Sequence, residues 1–179
     1  PDCIIAHFSK LKILQADNFR IFKNVFQAKL CKLFVVPAFT FDNVKGQFPI
    51  GFHIWNTSLK ERFNYIKADV YDEKGQLIGH KGFYGNLPPS INKWIVKFKV
   101  NSNNIIGLLS NYPPDFQNQN KVFIKINQTA RSGPIWINKT NLISISIYFA
   151  VRHCIEATWL NDRDQFLYPN DGWKSDTEF

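Results

Sequence analysis

A mixed fold, α/β or α+β, is what the sequence predicts, and three observations predict it. A strand, an amphipathic helix and a second strand succeed one another between Cys3 and Val36. A polar-aromatic loop then returns the chain into a third apolar run, Ile50 to Trp55. An alternating hairpin follows. Strands interleaved with helical pattern favour a parallel or mixed sheet.

The elements take this order. Cys3 to Phe8 (CIIAHF) is a short apolar run and reads as a buried strand. Asp17 is a candidate N-cap, and Phe19, Phe22, Phe26 and Leu30 recur at helical spacing beside Ile21 and Val25. An amphipathic helix over Asn18 to Lys29 is expected. Leu33 to Val36 is the next strand, which makes the start of the chain βαβ-like. Tyr65 to Tyr71 and Leu77 to Phe83 flank the turn Asp72-Glu73-Lys74-Gly75 and form a hairpin. Gly85-Asn86-Leu87-Pro88-Pro89 breaks the pattern and is the best boundary, giving regions 1–85 and 86–179.

Beyond it, Trp94 to Val100 (WIVKFKV) alternates as a half-buried strand with Lys97 and Lys99 outward. Asn104 to Leu109 suits a short helix. Asn111-Tyr112-Pro113-Pro114 is a turn, Val122 to Ile126 a strand and Arg131-Ser132-Gly133-Pro134 a loop. Thr140 or Asn141 caps a helix from Leu142 to about Cys154, whose Ile-rich start also suits a strand. Irregular surface structure pinned by aromatics is expected from Glu156 to Phe179.

The chain has 179 residues, 45% hydrophobic and 20% charged, in the range of a globular protein with a sizeable core. No run matches a membrane-spanning helix, and no signal peptide is visible. The start at Pro1 and the stop at Phe179 lead us to expect a piece of a longer protein. With 22 basic and 14 acidic residues the net charge is +8, which favours polyanions, DNA or RNA most simply. Much of that Lys is scattered, and scattered Lys also serves solubility. Cys3, Cys31 and Cys154 are odd in number and far apart, so no disulfide framework or metal spacing follows, and a reducing cytoplasm is expected.

The stretch Val35 to Thr57 is the chain's best candidate for a binding edge. Phe39, Phe41 and Phe48 lie around Asp42, Asn43, Lys45 and Gly46 between two strands. Aromatics beside a lysine suit a flat, negatively charged ligand such as a nucleotide. The ordinary alternative is a strand pair with a satisfied loop, its Phe residues in the core. His7, His53, His80 and His153 lack paired ligand spacing, so no metal is expected. No GxSxG elbow, Walker loop or dinucleotide fingerprint is present. Arg152, His153, Glu156, Asp162, Arg163 and Asp164 form a charged cluster, either a solvated ion-pair network or, through Arg152 and Arg163, a phosphate or base contact.

VVPAFTFDNVKGQFPIGFHIW (Val35 to Trp55) resembles a segment of bacterial adenine-specific DNA methyltransferases of restriction-modification systems. FSKLKILQADNFRIFKNVF (Phe8 to Phe26) and YFAVRHCIEATWLNDRDQFLYPNDGW (Tyr148 to Trp173) resemble them too, whereas Tyr84 to Gln128 does not. The resemblance implies the end of a Rossmann-like methyltransferase sheet in 1–85, followed in 86–179 by some or all of a mixed α+β DNA-recognition region. The family's glycine-containing motif for S-adenosylmethionine and its Asn-Pro-Pro-Tyr/Phe motif are both missing here. Asn111-Tyr112-Pro113-Pro114 and Asn86-Leu87-Pro88-Pro89 carry the letters in another order.

Both motifs are therefore expected upstream of Pro1, with no catalytic residue and no cofactor in this chain, which alone should not methylate. The implied partners are double-stranded DNA and the upstream half of the same chain, with no membrane. Phe39, Phe41 and Phe48 are the candidates to stack on the extruded adenine, Lys45 to meet phosphate, and Arg152 and Arg163 to contact DNA. The alternatives are a non-catalytic nucleic-acid or protein interaction module, and a structural domain of another enzyme.

Overall fold

Leu33 and Val35 point to one side of a strand and are almost wholly buried, while Phe34 between them points to the other side and is half-buried. That alternation sets the first of two units into which the computed structural model divides: Pro1–Leu87 with Thr158–Asp162, and Pro88–Ala157 with Arg163–Phe179. The structure describes residues 2–101, 103–111, 113–126, 135–162 and 164–167.

In the first unit, β1 (Ile4–Lys10), β2 (Lys29–Pro37), β3 (Pro49–Asn56), β4 (Tyr65–Tyr71) and β5 (Leu77–Tyr84) form one mixed sheet in the order β1-β3-β2-β4-β5. β3 lies antiparallel between β1 and β2, which therefore do not pair with each other as a simple βαβ unit would. The parallel pairing is β2 with β4. β4 and β5 form the expected hairpin; Asp72 accepts hydrogen bonds from the Lys74 and Gln76 amides, and Gly75 takes φ +76°. Pro37 faces Pro49 at the end of the β2–β3 ladder.

One face of this sheet carries the core. Leu11, Leu14, Ala28, Leu33, Val35, Trp55, Phe63, Ala68 and Phe83 cluster there, with Trp159 and Leu160 packed against them. Gly51 belongs to this packing. A Cβ at that position would lie 2.6 Å from Leu11 Cδ2 and 2.9 Å from Leu33 Cδ1, so the core closes over a residue without a side chain.

Two expectations for this unit are corrected. The first strand forms but is not buried: its residues are exposed or intermediate, and among the described residues it pairs on one side only. The amphipathic helix over Asn18 to Lys29 shortens to a 3-10 turn, Asp17–Phe19, and α2 (Arg20–Val25), which follows a single turn, α1 (Lys12–Gln15). The Phe spacing does bring rings together, Phe22 on Phe26 at 5.0 Å and Phe26 edge-on to Trp55 at 5.3 Å. The helix ends early because Lys29 and Leu30 are drawn into the ladder opposite Asn56 and Trp55, and tertiary pairing outweighs helical propensity.

The second unit holds a three-stranded antiparallel sheet, β6 (Gly107–Asn111), β7 (Val122–Lys125) and β8 (Ile135–Ile137), in the order β7-β6-β8. Among the described residues its α-helices are α3 (Ile91–Ile95) and α4 (Leu142–His153), and its core gathers Ile91, Ile95, Leu109, Val122, Ile135, Ile137, Ile145, Tyr148 and Phe166. α4 matches the expected span. Asn141 stands at its N-cap position, but its amide donates to the Phe98 and Trp136 carbonyls instead of capping.

The strand expected at Trp94 to Val100 is α3 continued by a 3-10 turn, Val96–Phe98. Ile91 and Ile95 are fully buried and Trp94 and Phe98 pack beside them, a helical spacing that begins before the alternating window. No helix forms at Asn104 to Leu109: Asn104 to Ile106 are irregular and Gly107 to Leu109 begin β6. It is a central strand, and its adjacent Leu108 and Leu109 are both buried, so alternation is lost. The loop expected at Arg131 to Pro134 lies outside the described residues. Among the described residues no helix is long and apolar enough to cross a membrane.

Candidate nucleic-acid interface

The loop between β2 and β3 begins at the carboxyl end of β2. A 3-10 turn, Ala38–Thr40, opens it, and Ala38 N–H donates to the Phe48 carbonyl at 2.9 Å across its base. Asn43 at φ 63° and Gly46 at φ +133° provide its left-handed corners. Phe39 is 44% exposed. Phe41 is half-buried, edge-on to Phe8 with centroids 5.0 Å apart. Phe48 lies under the Lys10 ammonium, 4.7 Å from its ring centroid. Lys45 is exposed. The loop thus joins Phe41 and Phe48 to β1 and leaves Phe39 open to solvent. β1, β2 and β4 run in one direction, so Lys10, Pro37 and Tyr71 mark their carboxyl ends on the side of the sheet from which this loop springs.

Sequence reasoning missed the sheet face next to it. Phe8, Phe52 and Phe34 stand in register on β1, β3 and β2, on the side away from the core. Their rings touch in series: Phe8 to Phe52 at 4.7 Å and Phe52 to Phe34 at 5.1 Å, with Tyr71 edge-on to Phe34 at 5.8 Å. Phe8 is 48% exposed. Lys10, Lys32 and Lys67 share this side by strand alternation and are all exposed. Asp69 is the one acidic residue in the five strands, and His80 meets it at 2.9 Å. The alternation Phe8/Lys10, Lys32/Phe34 and Phe52 was legible in the sequence, but only the register puts the three rings side by side.

On the core side, His53 stands opposite His7. The imidazole of His53 has no solvent exposure and neither ring nitrogen makes a hydrogen bond. Burial lowers its pKa to about 4, and repulsion from a charged His7 adds to the effect; the nearby backbone of His7 and Gly51 opposes it only weakly, without reaching hydrogen-bonding geometry. His53 is a packing residue between His7 and Trp55, whose rings are stacked on it.

Arg152, expected to contact DNA, is wholly buried in the second unit. Its Nη1 donates to the Tyr148 hydroxyl at 2.8 Å and to Asn92 Oδ1 at 3.2 Å; its Nη2 donates to the Pro113 carbonyl at 2.8 Å and to that of Asp115 at 3.3 Å. The Tyr148 hydroxyl in turn donates to Asn92 Oδ1 at 2.6 Å. Burial raises the Tyr148 pKa, and Arg152 partly offsets this. The guanidinium ties α3, α4 and the 113–115 segment together and is not at the surface, which corrects both the DNA contact and the solvated ion-pair network for this residue. Arg163 lies outside the described residues. Among the described residues no three His, Cys, Asp or Glu side chains group as metal ligands, and Cys3, Cys31 and Cys154 are exposed and form no disulfide. Comparison with protein-family models, with curated proteins and with solved structures gave no match.

Proposed function

We propose that the first unit closes the Rossmann-like sheet of an adenine-specific DNA methyltransferase and gives it DNA and target-base contacts. The observation that carries this reading is the position of the Val35–Trp55 stretch. Its loop leaves the carboxyl end of β2, where β1 and β4 also end, and it presents Phe39 and Lys45 to solvent. Ligands of open α/β sheets sit outside the carboxyl ends of the strands. An adenine must leave the duplex before its amino group is methylated, and its face then needs an aromatic surface. Phe39 is the most available of the three candidates; Phe41 and Phe48 are partly engaged with β1.

The free side of β1 also supports it. Ile4, Ile5 and Phe8 are exposed on a strand that, among the described residues, pairs on one side only, leaving an edge open to further structure. In this reading S-adenosylmethionine and the catalytic motif are held upstream of Pro1, and no residue of this chain is given a role toward the cofactor. The test is transfer of a labelled methyl group to duplex DNA by the full product of the gene that encodes Pro1–Phe179. Phe39→Ala should lower turnover far more than cofactor affinity. Absence of DNA methylation, or normal turnover in all three Phe→Ala variants, overturns the reading.

A further inference from the structure

We propose that the open face of the first unit's sheet is a binding platform for a single-stranded nucleic acid. Bases would stack along Phe8, Phe52, Phe34 and Tyr71, and the sugar-phosphate backbone would be met by Lys10, Lys32 and Lys67. This goes beyond the methyltransferase reading and does not depend on it, since a binding module without catalysis would use the face in the same way.

The rings form one series across four adjacent strands, with successive centroids 4.7, 5.1 and 5.8 Å apart. Buried aromatic series are ordinary core. This one is on the side of the sheet away from the core cluster, with Phe8 48% exposed and the other three rings half-buried. A wet aromatic face needs an occupant that is itself flat and apolar on one side and soluble on the other. Nucleobases meet that need, and every base offers a stacking face.

Charge narrows the choice further. Lys32 and Lys67 are exposed and have no carboxylate partner among the described residues, and Lys10 sits over Phe48 with its ammonium at the rim. The lone strand carboxylate, Asp69, is engaged by His80. Cations around an aromatic surface, with the one strand carboxylate held against His80, complement a polyanion that carries stacked rings. A duplex shows its phosphates but hides its base faces, so it would gain from the lysines and not from the rings.

The experiment is fluorescence anisotropy of labelled oligothymidylate, alone and annealed to oligoadenylate, with the chain Pro1–Phe179 over a range of salt. Single strands should bind more tightly than the duplex. Phe8→Ala should weaken single-strand binding about tenfold. Lys32→Glu and Lys67→Glu should each lower the slope of log K against log salt by about 0.7. Circular dichroism should show all three exposed-site variants folded. Equal binding of single strand and duplex, or single-strand binding unmoved by these variants, overturns the proposal. So does a dimer in sedimentation that Phe8→Ala abolishes while no oligonucleotide binds, because a second copy would then be what covers the face. Loss of methyl transfer in loop variants, with the face variants normal in oligonucleotide binding, would separate this failure from that of the methyltransferase reading.

Discussion

His7 and His53 face each other across β1 and β3 with their rings stacked 5.2 Å apart at an interplanar angle of 16°. Only His53 is wholly buried. Its pKa falls from 6.5 to about 4 on folding, so between these values the unfolded chain binds more protons than the native one. Stability should therefore be full above pH 6.5 and decline as pH falls toward 4, by about 3 kcal/mol in all. Urea titrations at several pH values measure this. His53→Phe, which keeps a flat ring, should flatten the profile; an unchanged acid slope would show that other groups cause it.

Arg152→Met should destabilise the second unit by about 3 kcal/mol, since it strips the Tyr148 hydroxyl, Asn92 and two carbonyls of a buried donor. The urea midpoint reports the loss. Oligonucleotide affinity of the folded variant should stay at the wild-type value; a fall in affinity without a fall in stability would return Arg152 to the surface.

Gly51→Ala should cost about 2 kcal/mol, because the new methyl would overlap Leu11 and Leu33. Combined with Leu11→Ala, the loss should be smaller than the sum of the two single losses. Strict additivity would mean that the two sites do not touch.

Under the proposed methyltransferase reading, Lys45→Ala should lower the salt slope of duplex DNA binding by about 0.9, the signature of one phosphate contact. An unchanged slope in the anisotropy titration removes Lys45 from the interface.

Much of the first unit could be read from the sequence, because its strands alternate and its hairpin has an Asp-to-Gly turn. β2, β3, β4 and β5 stand where Leu33–Val36, Ile50–Trp55 and the 65–83 hairpin were expected. What failed was burial and local competition. Cys3 to Phe8 is as apolar as a core strand, and only the sheet order makes it an edge. Trp94 to Val100 alternates, yet Ile91 and Ile95 set a helix from outside that window. For the candidate site, Phe39, Phe41, Phe48 and Lys45 were legible as a loop between strands. The Phe8–Phe52–Phe34 series was not, because it is made by register between strands distant in the chain. Arg152 looked like a surface cation because charged neighbours surround it in sequence, whereas its helical position points it at Tyr148 and Phe166.

The facing pair Pro37 and Pro49 also bears on how this protein can diverge. Neither residue has an amide hydrogen, so neither can donate to the ladder at that rung, and both have a restricted backbone. The register of Val35 against Gly51 is held by the strands on one side of the rung, and residues 38–48 lie on the other. The Ala38 to Phe48 hydrogen bond closes the loop just beyond that rung, so exchanges within residues 39–47 that keep this bond should leave the strand pairings in place. Relatives of this chain should then keep the two prolines and Gly51 while residues 39–47 drift, so the loop is the part of this unit freest to diverge.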